Sequence, residues 1–400
     1  MKQRPAVVLG MGPTSLCLVR ALGRKGVLVY GVGLNPYEVS LSSKYCRALG
    51  AIDPRYNPEG LLALLIRFGK KFGSSAKPVL YPTGDECVVF MSAYAKALSM
   101  HFVFSNVNEQ LIEILLNKAK FYEICQQYDF ATPPTYLPQN RDDLIAISET
   151  ISFPCIIKPK YYHDWAMKHG LKKVVFCQDR NDYAKGVINL QENADQVIVQ
   201  EVIEGPESDI YVVAGYFDKK SNPHGLFSGR KIRQYPVGFG TTTKMETVDM
   251  PDLIKQSVRF LKKIKYDGLV DIEFKYDRKT ETFYVIEINP RLGRWYGIVE
   301  AAGHDSMYYS YLDLTGQTIP GDQKRSTPVV WSFVVRDVLA IAGSRNRHFR
   351  DVIQSYRGPR TWCIWSNDDI KPVFAYFLEM IFKAVWFLDR RRQPSGGQDA

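Results

Sequence analysis

The sequence lacks the patterns that mark several large classes of protein. Its seven cysteines are scattered, which excludes the close spacings of a zinc site and gives no disulfide framework. We expect no secretory signal, because the N-terminus offers only the short apolar stretch 6–9 and no cleavage pattern. No internal repeat is evident, and neither an RNA-recognition motif nor a helix-turn-helix pattern is present, so nucleic acid is not an expected partner.

What remains is an ordinary globular composition with an excess of basic residues. A chain of 400 residues suggests two or three domains with large cores. The 52 Lys and Arg residues outnumber the 42 Asp and Glu residues, and the net charge of +10 favours anionic partners such as nucleotides, acidic metabolites or a membrane surface. Unpaired cysteines in apolar runs fit a reducing compartment, so we expect a cytoplasmic protein.

The N-terminal third alternates strands with helices, which predicts a parallel α/β sheet. Strands are expected at 6–9, 27–32, 79–81 and 102–104, and helices at 15–23, 59–72, 85–99 and 110–128. The turn Gly10-Met11-Gly12 matches only the start of a dinucleotide fingerprint, because Ser15 stands where a third glycine belongs. A simple turn, a substrate contact and a nicotinamide dehydrogenase remain open as interpretations of this turn.

From Pro154 onward short strands dominate, which predicts an α+β region with an antiparallel sheet. Strands are expected at 155–158, 173–177, 197–201 and 210–216, and helices at 182–190 and 251–263. Lys158 ends an apolar strand, and Lys118 lies early in the helix expected at 117–128 within the segment 110–128. Each alone is typical of a surface lysine, but beside a metal site the two would form a clamp on a polyphosphate.

The segment 268–289 is the most informative part of the sequence. It predicts two strands joined by a polar turn at 277–281, and side chains in a strand alternate between faces. One face then carries carboxylates and an amide, at Asp271, Glu273, Glu287 and Asn289. The other face is predicted to be a core face, with Val270, Ile272, Phe274, Tyr284, Ile286 and Ile288.

Carboxylates opposite one another are destabilising unless a cation lies between them. Carboxylate and amide oxygens are the ligands that Mg²⁺ takes when it also holds phosphates. Arg291 follows directly in the sequence Glu-Ile-Asn-Pro-Arg, which indicates a nearby anion. A solvated acidic hairpin is the alternative interpretation.

Two further segments offer candidate binding residues. The strand and turn at 197–207 could bind a flat heterocycle with its backbone, with Glu207 or Asp209 accepting from sugar hydroxyls; an ordinary strand end is the alternative. Alternation predicts that Lys231 and Arg233 share one strand face, and Arg294 lies three residues beyond Arg291. These cations suit a phosphate or carboxylate, or else a solvated edge strand.

Taken in order, these motifs resemble the ATP-grasp superfamily, and within it the carboxylate–amine ligases of the D-aspartate ligase kind. The matching pieces are Lys118, Lys158 with Ile156, Ile157 and Pro159, residues 200–207, Glu273 and residues 287–291. The resemblance covers about residues 5–316. It implies an N-terminal Rossmann-like parallel sheet, a small central lid and a C-terminal antiparallel-sheet lobe. The expected divisions are 1–110, 111–200, 201–320 and an extension at 321–400.

The resemblance also implies roles for individual residues. Lys118 and Lys158 would bind the phosphates of ATP, the main chain of 201–203 (Glu201, Val202, Ile203) the adenine, and Glu207 or Asp209 the ribose. Glu273, Glu287 and Asn289 would hold Mg²⁺. Arg291 would stabilise the transferring phosphoryl group. Apart from the resemblance, the clustering of cations predicts that Lys231, Arg233 and Arg294 complete the catalytic set by holding the carboxylate substrate or its acyl phosphate. In the implied reaction, a carboxylate is activated as an acyl phosphate, which an amine then attacks. The expected partners are small-molecule substrates, and an acidic or nucleotide-linked acceptor is one option.

Two features depart from that pattern or lie outside it. Residues 159–173 hold one glycine, Gly170, among aromatic residues where relatives carry a glycine- and serine-rich lid, and Lys172 or Lys173 would replace the usual backbone amides. The apolar run 373–388 is too short and too charged to span a bilayer. We expect a helix packed on the protein, with attachment to the inner membrane face through Arg390, Arg391 and Arg392 as the alternative.

For the function of the whole protein, the alternative to a ligase is a nucleotide-binding regulatory protein with an inactive site.

Overall fold

The N-terminal part of the chain is a parallel four-stranded sheet in the order β3-β2-β1-β4. The structure, a computed structural model, describes residues 3–105, 108–161, 174–188, 190–321, 326–344 and 349–392. The first strands are β1 (Ala6–Leu9), β2 (Val29–Gly33), β3 (Cys46–Ala51) and β4 (Val79–Pro82), and the helices among them are α1 (Ser15–Arg24), α2 (Pro58–Gly69), α3 (Asp85–Ala93) and α4 (Ala95–Ser99). Every residue of β1 is buried, as expected for a central strand covered on both faces.

This sheet confirms the predicted parallel α/β architecture but differs from the prediction in two elements. The sequence analysis missed β3, an edge strand whose residues are all at least partly exposed, so it carries no apolar run. The expected strand at 102–104 contributes only an isolated bridge, between Val79 and Val103.

The helix predicted at 110–128 is two helices, α5 (Glu109–Leu116) and α6 (Lys118–Gln127). Asn117 lies between them with an extended backbone, and its side chain accepts hydrogen bonds from the amides of Ala119 and Lys120. This is an N-cap, the arrangement that satisfies the first free amides of a helix. The break places Lys118 at the first position of α6.

A small antiparallel sheet follows, in the order β5-β8-β6-β7. Its elements are β5 (Thr135–Tyr136), α7 (Arg141–Thr150), β6 (Cys155–Pro159), β7 (Val175–Cys177), α8 (Arg180–Ile188) and β8 (Val197–Glu201). Side chains of α7 and α8, among them Leu144 and Tyr183, pack on the sheet in a core of their own. Most of the aromatic segment 159–173, with Lys172 and Lys173, lies outside the described residues.

The largest sheet has seven strands, in the order β13-β12-β9-β10-β11-β14-β15. Its elements before Gly316 are β9 (Ile210–Phe217), β10 (Pro223–Tyr235), β11 (Thr241–Thr247), α9 (Pro251–Lys263), β12 (Gly268–Asp277), β13 (Thr282–Asn289), α10 (Gly297–Ala301) and α11 (Ser306–Leu314). Short 3-10 turns occur at Val39–Ser42, Ser74–Ala76, Gln191–Gln196 and Glu207–Asp209. This antiparallel lobe is the α+β region that the sequence predicted.

The C-terminal extension joins both the large sheet and the N-terminal part. It adds β14 (Val330–Ser332), α12 (Val334–Gly343), α13 (Phe349–Gln354), β15 (Arg360–Trp362) and α14 (Lys371–Arg392). Asp369, which is 2 % exposed, pairs with Arg20 at 3.0 Å and accepts from the hydroxyl of Ser43 at 2.7 Å. In the described part of the chain, no helix has the length and apolar character needed to cross a membrane.

Candidate active site

The acidic hairpin is formed by β12 and β13, with a turn at the position that the sequence predicted. Asp271 lies opposite Asn289 and Glu273 lies opposite Glu287. These four side chains belong to residues that line a cleft of about 1020 Å³ between the N-terminal part, the small sheet and the large sheet. The pairing therefore brings two carboxylates directly across from each other at the wall of a cleft.

The prediction that Tyr284 and Ile286 belong to the core face was wrong, because β13 carries a bulge. The register shifts after Glu273, so that Phe274 pairs with Val285 and Ile286 is the extra residue. Val285 is fully buried in the core of the lobe, whereas Ile286 lines the cleft. The bulge turns an apolar side chain toward the site and leaves the pairing of the two glutamates intact.

The electrostatics of the hairpin fit a divalent cation. Asp271 is 3 % exposed, and its Oδ1 atom has no hydrogen-bond partner. Burial raises its pKa well above the ordinary value, and the neighbouring carboxylates of Glu273 and Glu287 raise it further. A cation would offset this repulsion.

Lys231 provides part of that compensation in the structure. It is 2 % exposed, and its Nζ atom contacts Glu273 Oε2 at 2.7 Å. In the described part of the chain, no group of three or more His, Cys, Asp or Glu residues is placed to hold a metal ion.

The two candidate phosphate-binding lysines lie on different elements but line the same cleft. Lys158, at the end of β6, is 9 % exposed and donates to Gln200 Oε1 at 3.0 Å. The amide of Lys118, at the start of α6, donates to the carbonyl of Lys160 at 3.1 Å, which joins the helix to the end of β6. The tertiary structure thus brings together residues that are 40 positions apart in sequence.

Arg291 is held by a residue that the sequence analysis did not identify as part of the site. Its Nε atom donates to Asp85 Oδ1 at 2.6 Å, and Asp85 begins α3 in the N-terminal part. Burial opposes the charge of Arg291, but the Asp85 carboxylate raises its pKa above the ordinary value. The side chain is therefore a fixed cation beside the acidic hairpin.

The glycine turn after β1 also lies at the cleft. Gly10 has a φ of +78°, and a Cβ there would come 3.0 Å from Thr83 Oγ1. Both residues follow strands of the parallel sheet at its carboxyl edge, where ligands bind in such sheets. The backbone conformation and the close approach of Thr83 therefore explain the glycine at this turn. The turn also lies where it could contact a substrate in the cleft.

The residues assigned to adenine and ribose are not among those that line this cleft. Glu207 accepts from the amides of Gln234 and Gly238, both at 3.0 Å, and so fixes the loop after β10. Asp209 is 3 % exposed and bound by Arg278 at 2.7 Å, which argues against the ribose contact predicted for it. The Ile203 amide makes no hydrogen bond with another described residue, so it is available to a ligand.

The prediction that Lys231 and Arg233 share one strand face was wrong. The β10–β11 pairing shifts register on both sides of Arg233. Lys231 and Gln234 line the cleft, whereas Arg233 does not. Its guanidinium instead binds Asp337 of α12, with Nε–Oδ1 at 2.9 Å and Nη2–Oδ2 at 2.7 Å.

This geometry gives Arg233 a structural role that can be tested. The Asp337 side chain is fully buried, so Arg233→Ala leaves a buried carboxylate without its ion pair. We expect a loss of about 3–5 kcal/mol in the free energy of unfolding, measured by denaturant titration. Arg230→Ala is the matched control, because Arg230 lies on the same strand and pairs with Glu246 of β11 at 39 % and 31 % side-chain exposure. Its expected cost is about 0–1 kcal/mol. Equal costs for the two variants would contradict this role.

The structure adds cleft residues that sequence reasoning missed. They include Glu38, Thr83, Asp85, Glu86 and Thr242. For residues 83–86, the sequence signal that could have indicated a place in the cleft was their position directly after a predicted strand of a parallel sheet. Gln200 belongs to the segment 200–207 that resembles the ATP-grasp pattern. Its hydrogen bond to Lys158, however, depends on the pairing of β6 with β8, which the sequence did not predict.

The family model described as the carbamoyl-phosphate synthase L chain, ATP binding domain, matches residues 233–309. D-aspartate ligase from Enterococcus faecium is 28% identical over 233 residues, which cover 55% of this chain. The match covers 54% of that ligase, so this chain spans about half the length of the curated relative.

Solved structures of several enzymes have a similar fold. One is the biotin carboxylase domain of the 2-oxoglutarate carboxylase from Hydrogenobacter thermophilus, in complex with MgADP, ADP and bicarbonate. It aligns with a TM-score of 0.62 at 15% identity, and the alignment covers 82% of this chain and 73% of that domain's chain. L-amino acid ligase from Bacillus licheniformis aligns with a TM-score of 0.61 at 17% identity. This alignment covers 78% of this chain and 75% of the ligase chain. At these identities the likeness concerns the fold.

Proposed function

We propose that this chain is a member of the ATP-grasp superfamily and that it is an ATP-dependent ligase that joins a carboxylate to an amine. The observation that supports this most is the convergence of separate sequence motifs on one cleft. Lys118, Lys158, Glu273, Glu287, Asn289 and Arg291 all line it. The relatives named above, a D-aspartate ligase and an L-amino acid ligase, support the same class of reaction.

The proposed chemistry needs two steps and no covalent protein nucleophile. A carboxylate oxygen of the first substrate attacks the γ-phosphorus of ATP, the bond to the β-phosphate oxygen breaks, and ADP leaves. The amine nitrogen of the second substrate then attacks the acyl carbon, phosphate leaves, and the nitrogen releases a proton. The protein contributes mainly fixed charges and orientation.

The cleft residues divide among the parts of this reaction. Lys118 and Lys158 bind the phosphates of ATP, and the main-chain amide of Ile203 binds its nucleoside part. Glu273, Glu287 and Asn289 hold Mg²⁺, which when bound neutralises phosphate charge and orients the γ-phosphoryl group. Arg291 and Lys231 stabilise charge on the transferring phosphoryl group and on the acyl phosphate.

Release of ADP tests the proposal directly. ATP, Mg²⁺ and pairs of acids and amines are combined with the protein, and ADP is measured with each substrate alone and with both. ADP formation that depends on a carboxylate supports the ligase. Tight ATP binding without ADP release from any pair would favour the alternative, a nucleotide-binding regulatory protein with an inactive site. Binding of NADH in place of ATP would favour a dehydrogenase.

Helix α14 supports a further proposal about location. Val373, Ala375 and Tyr376 pack against the core shared with the N-terminal part. The other side of the helix exposes large apolar side chains, at Phe374, Phe377, Leu378 and Ile381. The spacing i, i+3, i+4 and i+7 places them on one face, and Arg390, Arg391 and Arg392 follow in the sequence. We propose that this face attaches a cytoplasmic protein to an anionic membrane surface.

Flotation with lipid vesicles checks this attachment. We expect binding to phosphatidylcholine vesicles that contain phosphatidylserine at low salt and reduced binding at high salt, because electrostatic attraction is screened. Replacing Phe377 and Leu378 with Asp should abolish binding. Met100→Asp is the control, because Met100 is similarly exposed, at 62 %, on the N-terminal part. Absence of binding at both salt concentrations would show that α14 serves only to pack.

A further inference from the structure

Gln200 of β8 is a buried polar residue behind the wall of the cleft. The pairing of β6 with β8 places Lys158 opposite Ile198, two positions from Gln200, so Lys158 and Gln200 share one face of the small sheet. Gln200 is 2 % exposed, and its Oε1 atom accepts a hydrogen bond from Lys158 Nζ at 3.0 Å. Lys158 lines the cleft, whereas Gln200 does not. Any effect of Gln200 on a ligand in the cleft is therefore exerted through its neighbours.

Hydrogen bonds on both sides fix which end of the Gln200 amide faces Lys158. The Nε2 atom of Gln200 donates to Thr135 Oγ1 at 2.8 Å, and the Thr135 hydroxyl donates its own proton to the carbonyl of Pro133 at 2.8 Å. Because that hydroxyl has no second proton, its oxygen can only accept from Gln200, which requires the NH₂ end on this side. The ammonium of Lys158 can only donate, so it requires the oxygen end on the other side. Both neighbours therefore select the same orientation of the amide.

Tyr122 of α6 joins this buried pair to the acidic hairpin. Its hydroxyl donates to the carbonyl of Ile286 at 3.0 Å and lies 3.4 Å from Gln200 Oε1. Tyr122 is buried, and Ile286 is the bulged residue directly before Glu287. The amide that holds Lys158 on the small sheet is therefore in contact, through one hydroxyl, with the strand that carries a proposed ligand of Mg²⁺.

We propose that Gln200 is a positioning residue that holds the ammonium of Lys158 at the cleft wall for the phosphates of ATP. A lysine ammonium is carried on a flexible four-carbon stem, and fixing it before a ligand arrives lowers the entropy cost of binding. An amide oxygen does this without a charge of its own, whereas a carboxylate in the same place would attract the ammonium and repel the phosphates. The inference rests on the proposed function in taking ATP as the ligand.

Titration calorimetry with ATP and with adenosine, both in the presence of Mg²⁺, tests this role. Gln200→Met removes the acceptor at similar side-chain size, and we expect it to raise the Kd of ATP about 2–10-fold, because the lysine is then ordered only on binding. Gln200→Glu should raise the Kd of ATP at least about 10-fold, because it places a negative charge beside the phosphate site. The Kd of adenosine should stay at the wild-type value in both variants, because adenosine has no phosphates. Gln200→Glu keeps the shape of the side chain and carries the test if Gln200→Met does not fold.

The same substitutions in a Lys158→Ala background separate positioning from a general structural effect. There Gln200→Met should leave the Kd of ATP unchanged, because Gln200 acts through the lysine that is already absent. Gln139→Met is the matched control, since Gln139 is an exposed glutamine of the same small unit that donates only to the carbonyl of Leu137.

Three results would overturn the positioning role while leaving the proposed function intact. They are a wild-type Kd of ATP in both Gln200 variants, equal weakening of ATP and adenosine, and the same loss with and without Lys158. Failure of the wild-type protein to bind ATP would instead refute the proposed function, and the positioning role with it.

Discussion

Replacing Glu287 with Gln is expected to reduce ADP release by about 10²–10³-fold or more while the protein stays folded. Glu287 faces Glu273 directly across the β12–β13 pair, and Asp271 is buried beside them. Removing one charge weakens the binding of a divalent cation but also reduces repulsion among the carboxylates. The thermal midpoint of the metal-free protein should therefore be equal to that of the wild type or higher.

The same variant has a second readout that does not depend on the substrates. Mg²⁺ with ADP should raise the thermal midpoint of the wild type, because a ligand that binds only the folded state stabilises it. Glu287→Gln should lose most of this increase. Glu281→Gln is the matched control, because it removes the same charge from the exposed turn of the same hairpin. Wild-type ADP release by a folded Glu287→Gln protein would refute the metal assignment.

Replacing Lys158 with Ala is expected to weaken ATP binding about 10–100-fold, since a hydrogen bond to a charged group contributes about 1.5–3 kcal/mol. Lys158 is buried at the end of β6 and lines the cleft together with Lys118. Because only ATP presents phosphates, the Kd of adenosine should change little. Calorimetry with both ligands measures the difference.

Lys185→Ala provides the control for Lys158. Lys185 is a lysine of α8, on the same small unit, with 76 % side-chain exposure and a partner, Asp182, one turn away. Its removal should leave both affinities unchanged. Equal weakening of ATP and adenosine by Lys158→Ala would indicate that the lysine supports the small sheet through Gln200 and does not contact phosphates.

Local sequence predicted much of the fold because its signals were strong and short-range. The apolar run of β1, the glycine turn and the helix α1 follow from patterns within 20 residues. The helix expected at 117–128 also follows from a local pattern, and the structure adds the break at Asn117 that separates it from the preceding helix. The edge strand β3 could not be predicted in this way, since a partly exposed strand carries no apolar run.

The sequence alone determined which side chains are candidates for the site, because carboxylates, an amide and cations recur in it at the spacing of paired strands and strand ends. Only the tertiary structure decided which of these side chains meet. Asp85 and Arg291 form an ion pair at the cleft although they are far apart in the chain. Arg233, in contrast, binds Asp337 of α12 and does not line the cleft. A one-residue bulge in β10 or β13 redirects side chains between faces, and such a shift depends on the pairing of strands, which no local pattern encodes.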